Sequence, residues 1–314
     1  MPCDKRALSS VKVSSSQTTK TMASLTPIDI FSVGNILGEG ILWDSRREVL
    51  WWTDIQARQL HRYEWTHGTM QILDTPERVG SFGLVEASEK LIAAFASGLA
   101  LYDVQQQSVA WFALPEALDP SVRFNDGRVD RCGRFWSGTM DEGEQIAAGG
   151  CLYSIDATGE TRCHLRGVRI SNGLCISPDG ARLYFADSPT RTIRVYELIE
   201  PEGVLGTPRL FAQTPEGAFP DGAAIDVDGC MSSAHWGAGR IVRYTPDGRI
   251  DRTLEVPTRQ PSCVCFGGPN LDVLCVTSAR EGLDGSTLRA EPHAGDVFLY
   301  RAGVQGLPEL KYRT

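Results

Sequence analysis

Six copies of one short strand unit, a lone strand at the front of the chain and an abundance of turn-forming residues predict an all-β ring. The predicted fold is a six-bladed β-propeller closed by its N-terminal strand. The 314 residues include 32 Gly, 17 Pro, 7 Trp, 8 Tyr and 11 Phe, a mixture that favours strands and tight turns over long helices. Two stacked sandwiches are the competing arrangement.

The unit is plainest at Ser177-Pro178-Asp179-Gly180, a turn followed by the strand Arg182 to Ala186, the short turn Asp187-Ser188-Pro189 and the strand Thr192 to Leu198. Earlier in the chain, Val49 to Asp54 leads to Gln59 to Tyr63, a second copy starts near Glu89 and ends at Tyr102, and Asp130 to Gly138 leads to Gly150 to Ile155. Later copies run from Asp228 to Tyr244 and from Asn270 to Tyr300. The tyrosines recur every 40 to 55 residues, roughly the length of a four-stranded blade. A further strand follows each of the first five copies: Met70 to Leu73, Val109 to Leu114, Thr161 to Leu165, Arg209 to Ala212 and Ile250 to Val256. The sixth copy has none. Its missing strand stands at the front instead, as Ile28 to Val33, and a ring places it against the segment ending near Tyr300, covering an edge that would otherwise be open.

Composition bounds the function. Thirty-one Lys and Arg against 39 Asp and Glu give a net charge of −8, which argues against binding a nucleic-acid backbone. No apolar run approaches the roughly 20 residues that span a bilayer, so no membrane partner is expected. The nine cysteines are scattered, with no C-x-x-C pair, and read as small buried hydrophobes in a reducing cytoplasm. Residues 1–26, rich in Ser, Thr and Lys, read as a disordered tail, leaving 27–314 as a single propeller domain. There is no G-x-S-x-G elbow, phosphate loop or dinucleotide fingerprint.

Six to twelve residues after each outer strand a dipeptide opens the next innermost strand: Glu39-Gly40, Phe82-Gly83, Asp126-Gly127, Asn172-Gly173, Asp221-Gly222 and Ser262-Cys263. The second residue is small, as crowding around an axis requires, and the first is expected at one equivalent place in every blade, at the channel mouth. Asp-Gly and Asn-Gly also mark ordinary turns, but four oxygen-bearing side chains recurring at one axis call for something to bind them. Glu39, Asn172 and Asp221 supply two carboxylates and an amide oxygen without thiolate or imidazole, a set suited to a hard divalent ion with positions left for water and substrate.

Leu37-Gly38-Glu39-Gly40, Arg123-Phe124-Asn125-Asp126-Gly127, Gly138-Thr139-Met140, Ser171-Asn172-Gly173 and Phe219-Pro220-Asp221-Gly222 together resemble the senescence marker protein/gluconolactonase/luciferin-regenerating family, which includes regucalcin and bacterial sugar lactonases. The resemblance runs in order from about Ile28 to Ala302. It implies one divalent metal on Glu39, Asn172 and Asp221, with Ca²⁺ first and Zn²⁺, Mn²⁺, Mg²⁺ or Fe²⁺ as alternatives, and substrate contacts from Arg123 and Asn125. Some animal members place a further substrate-binding glutamate just after G-T-M; here that position falls on Gly143.

Such a site suits metal-assisted hydrolysis of a sugar lactone to the aldonic acid, with Asp221 both ligand and general base. Arg123 and Asn125 would hold the sugar, Arg123 having an inter-blade salt bridge as its plainer role. Asp126 and His235 are candidates for the layer behind the ligands, His235 equally for a satisfied structural residue. The expected partner is a small sugar lactone, and the expected form a cytoplasmic monomer or weak homodimer. Trp51-Trp52-Thr53-Asp54 resembles a strand motif of receptor propellers, so a non-catalytic protein-interaction or calcium-binding propeller is the alternative.

Overall fold

A computed structural model describes residues 26–112, 114, 118–119, 121–143 and 148–314; the expected tail, apart from Thr26, lies outside them. Six antiparallel sheets follow one another along the chain. Blade 1 runs from the axis outward as Gly38–Asp44, Val49–Asp54, Gln59–Glu64 and Thr69–Asp74. The innermost strands of blades 2 to 6 are Val79–Val85, Val122–Val129, Ser171–Ile176, Phe219–Ile225 and Pro261–Gly267. Among the described residues one short α-helix, Gly285–Ala290, decorates blade 6, its Asp284 side chain accepting from the Thr287 amide as an N-cap, and a single 3-10 turn covers Ser188–Thr190 in blade 4. No helix of the described residues is long and apolar enough to cross a membrane.

Alternation along the strands explains the ring. In Val49–Asp54, Leu50 and Trp52 point into an apolar cluster shared with blade 6, while Val49 and Trp51 point into one shared with blade 2. Both faces of the strand are therefore buried, so its first four residues are apolar in an unbroken run rather than alternating. Six such clusters lie at the six blade-to-blade contacts, and each large side chain buried there contributes about 1.5–3 kcal/mol.

The ring closes as the sequence predicts. Asp29–Phe31 pairs antiparallel with Val297–Arg301 as the outer strand of blade 6, with Phe31 opposite Val297. Phe31 then packs on Tyr63 of blade 1, ring centres 4.4 Å apart, so the clasp touches both sides of the seam.

A second clasp has no counterpart in the repeat. After blade 6 the chain crosses the floor of the ring. Gly306 bridges Asp226 of blade 5, and Glu309 pairs with Arg128 of blade 3 at 2.6 Å. Lys311–Tyr312 then adds in parallel to the innermost strand of blade 2. Between the acids of the upper channel and this strap, the space lined by Asp126, Arg128, Cys263 and Glu309 is only about 10 Å³.

Each innermost strand breaks register with its neighbour once, between Glu39 and Leu42 in blade 1, Asn172 and Cys175 in blade 4, and Pro220 and Ala223 in blade 5, for example. Such a bulge turns side chains out of the sheet and toward the axis. It also corrects the expected equivalence of the six dipeptides. Glu39 and Asn172 are the last paired residues before their bulges, Asp221 is the first bulged residue of blade 5, and Asp126 the second of blade 3. Gly40 and Gly173 take positive φ (57° and 62°) and carry the bulge after the acid or amide, whereas Gly222 and Gly127 do not. The latter two are glycines for room: a Cβ on Gly222 would lie 2.4 Å from Cys263 Sγ, and one on Gly127 2.6 Å from Ser81 Oγ.

Candidate active site

The upper mouth of the channel holds a cavity of about 380 Å³, lined on one side by Glu39, Arg123, Asn125, Asn172 and Asp221. The five residues singled out as ligands and substrate contacts thus meet in one place. They come from four blades, and the bulges aim them.

Glu39 and Asp221 are 7% and 6% exposed and hydrogen-bond each other. Both are pushed well above the ordinary carboxylate range, first by burial; the Asp126 charge adds to this at Glu39, and the charges of Glu39 and Asp126 add to it at Asp221. Neither makes an ion pair with a Lys or Arg among the described residues, although the charge of Arg123 draws the Glu39 carboxyl part of the way back down. Among the described residues no third Asp, Glu, His or Cys completes a cluster with them, and the amide of Asn172 lines the same cavity. Two buried carboxyls without an ion-pair partner and an aligned amide fit a hard divalent cation by the chemistry of their donors.

Asn172 is held from both sides. Its Nδ2 donates to Ser188 Oγ at 2.9 Å, and Ser188 in turn donates to the Pro220 carbonyl at 2.7 Å. Its Oδ1 accepts from Asn125 Nδ2 at 3.1 Å. Asn125 also donates to the Ser171 carbonyl (2.9 Å) and accepts from Arg123 Nη1 (2.6 Å). Arg123 is buried, its Nε on Glu142 Oε1 at 2.8 Å. Glu142 takes Arg78 of blade 2 with both oxygens, at 2.8 and 2.7 Å, so Arg123 belongs to an inter-blade ion network while lining the cavity. Glu142 precedes Gly143, the position expected to lack a substrate-contacting glutamate, and its carboxylate holds an arginine of the site.

Asp126 sits deeper. One carboxylate oxygen accepts from its own Gly127 amide and the other from Leu174 of blade 4, both at 2.8 Å, and burial raises its carboxyl to about 6. It stitches blade 3 to blade 4 behind the acid pair. His235 does not line the cavity: it is buried beside Tyr244, Nε2 to Oη 3.1 Å, and burial depresses it to about 3. Asp54, from the receptor-like Trp-Trp-Thr-Asp run, accepts from the Ile36, Leu37 and Ala57 amides and so serves the backbone. The eight described cysteines are free.

Sequence reasoning missed the opposite wall, which is apolar: Leu37, Met140, Ile170, Phe219 and Trp236. It also missed the buried Ser188 and the half-buried Glu281, which line the same cavity. Ser188 lay inside the Asp187-Ser188-Pro189 turn of the repeat, where nothing local distinguishes it from an ordinary turn serine.

A six-bladed ring with buried acids and amides gathered at one mouth of its axis carries a built polar site, which a bare docking scaffold does not need. The sequence model of the SMP-30/Gluconolactonase/LRE-like region matches residues 37–280, and the chain belongs to that family. It is 39% identical over 277 residues to a 6-deoxy-6-sulfogluconolactonase of Pseudomonas putida, covering 88% of this chain and 94% of that one. It is 38% identical over 282 residues to an L-arabinolactonase of Azospirillum brasilense (88% and 92%). Among solved structures, a calcium-binding regucalcin from Agrobacterium tumefaciens superposes with a TM-score of 0.87 at 30% identity, over 93% of this chain and all of that one. The chain is an enzyme of the lactonase type.

Proposed function

We propose that the protein hydrolyses a sugar lactone to its aldonic acid at this cavity, with one divalent cation held by Glu39, Asn172 and Asp221. The observation that carries the reading is the convergence of two buried carboxyls, without an ion-pair partner among the described residues, with Arg123 and two amides on one cavity of lactone-admitting size. The names of the relatives point to lactones of hexonic and pentonic acids, and the calcium-binding regucalcin points to Ca²⁺. A bound divalent cation supplies Lewis-acid polarisation of the lactone carbonyl.

The chain's own groups do the rest. Asp221, whose carboxylate a bound cation would keep ionised, takes the proton of the attacking water, the new C–O bond forms at the carbonyl carbon, and the ring C–O bond breaks as Asp221 returns that proton to the leaving ring oxygen, giving a hydroxyl and a carboxylic acid. Arg123 keeps one terminal nitrogen, Nη2, without an acceptor among the described residues, and offers it to a sugar hydroxyl or the ring ester. Asn125 Oδ1 has a lone pair left for a second hydroxyl. Phe219 and Trp236 cover the C–H face of the sugar and keep bulk water from the ester. The protein acts in the cytoplasm, as a monomer or weak homodimer, on this small molecule alone.

A panel of sugar lactones, assayed after chelation and again with Ca²⁺, Mn²⁺ or Zn²⁺ restored, tests the reading. Activity on at least one lactone that vanishes on chelation and returns with the ion is expected. Activity indifferent to chelation refutes the cation, and none on any lactone with any ion refutes the reaction.

A further inference from the structure

We infer that Ser188 is a positioning residue for the cation site, the acceptor end of a hydrogen-bond chain that dictates which face of the Asn172 amide the channel sees. The inference rests on the cation reading above.

The chain has a fixed polarity that follows from chemistry at its two ends. Arg123 can only donate, so the Asn125 atom facing its Nη1 must be the oxygen. The Asn125 nitrogen then faces the Ser171 carbonyl, which can only accept, and Asn172, whose facing atom must therefore be its oxygen. That leaves the Asn172 nitrogen toward Ser188. A serine hydroxyl can accept this bond only if its single proton goes elsewhere, and it does, to the Pro220 carbonyl next to Asp221. Every link is satisfied in one sense only. Turning the Asn172 amide over would set two NH₂ groups against each other at Asn125 and leave Ser188 facing an oxygen.

The consequence is that a donor-only guanidinium and an acceptor-only carbonyl, in blades 3 and 5, together keep an oxygen rather than a nitrogen on the cation side of blade 4. Ser188 is the one member that both accepts and donates through a single atom, and it is 5% exposed, so water does not readily replace it. Removing its hydroxyl strands the buried Asn172 NH₂ and leaves the amide held at the Asn125 end alone, with the loss in metal affinity usual for a group that orients a ligand, about tenfold or more.

A double-mutant cycle separates orientation from general damage. Ca²⁺ binding is measured by calorimetry on the metal-stripped full chain for wild type, Ser188→Ala, Asn172→Asp and the double variant, with a thermal midpoint for each. A carboxylate has two equivalent oxygens and no wrong way round. We expect Ser188→Ala to weaken Ca²⁺ binding about tenfold with Asn at 172, but less than threefold with Asp there. The isosteric pair Ser188→Thr and Ser188→Val, which differ only in the hydroxyl, gives a second comparison should the alanine variant fail to fold: Thr stays within threefold of wild type and Val loses about tenfold.

A change under twofold for Ser188→Ala, the same loss with Asn and Asp at 172, or equal behaviour of Thr and Val would overturn the inference while wild type still binds Ca²⁺. A wild-type protein that takes up no divalent ion refutes the cation reading itself, and this inference falls with it.

Discussion

Replacing Glu39 by glutamine should make the cation-free protein more stable, and only at a pH above the ordinary carboxylate range. Glu39 is buried at the axis with a carboxyl raised from 4.5 to about 8, by burial first and the Asp126 charge second. Below pH 4.5 the folded and unfolded chains both hold the proton, and the group costs nothing. Between 4.5 and 8 the unfolded chain releases a proton that the folded chain keeps, so stability falls as pH rises; above 8 the cost levels off. At pH 7 the gap spans about 2.5 pH units, on the order of 3 kcal/mol for Glu39 and Asp221 titrating as one unit. Glutamine cannot titrate and escapes the cost. Urea unfolding with chelator present should give equal midpoints for wild type and Glu39→Gln at pH 4 and a higher midpoint for the variant at pH 7.5. Adding Ca²⁺ at a hundred times its dissociation constant should then stabilise wild type by about 2.7 kcal/mol and the variant by less. A variant less stable at pH 7.5, or a difference independent of pH, would refute the account of the acid pair.

Asp221→Asn keeps a coordinating oxygen but not the basicity, so kcat at saturating cation should fall by about 10²-fold or more, whereas Glu39→Gln should recover much of its rate as cation is added. Arg123→Ala should raise KM for the lactone and, by releasing Asn125, weaken Ca²⁺ binding as well; calorimetry showing unchanged Ca²⁺ affinity would cut the link between the two ends of the site. Deleting residues before Pro27 should leave the urea midpoint unchanged, but deleting through Val33 removes Phe31 and the outer strand of blade 6, with a cost of about 3–5 kcal/mol from the lost aromatic alone. Glu309→Ala takes the carboxylate from the partly buried Arg128 guanidinium, which keeps the Ala223 carbonyl, and should cost about 1–3 kcal/mol in the same assay.

Much of this molecule is legible in its sequence because the signals are local. Turn residues such as Pro178-Asp179-Gly180 and the strand-ending tyrosines lie within one unit, so six units could be counted and the orphan strand assigned to the seam. Glu39, Asn172 and Asp221 were legible for the same reason, each attached to a small residue that crowding demands, whereas Arg123 and Asn125 stood out only through the family resemblance. What was not legible depends on distant backbone. Whether a bulge falls before or after an acid depends on glycine φ and on the next blade, and Asp126 found its partner in Leu174, 48 residues away. His235 was ambiguous because a histidine on a second strand can turn to the channel or to a neighbour, and packing against Tyr244 decided it. The strap carries no strand pattern at all, and its partner Leu84 lies in the second blade. Ser188 matters through an atom of blade 5 that no spacing within its own unit reveals.

The strap has a consequence for traffic. With about 10 Å³ free around Asp126, Cys263 and Glu309, about what one water needs, and about 70 Å³ against the strap at Cys175, Phe266 and Leu307, the axis is for a sugar a blind alley and not a tunnel. Whatever enters the cavity leaves by the doorway it came through, so an arriving molecule must wait for the departing one to clear a space walled by Phe219, Trp236 and Glu281. Throughput then has a ceiling set by how fast that one opening empties, whatever the speed of events at the acid pair. Occupancy by the outgoing molecule shuts out the incoming one by geometry alone, without any second binding site.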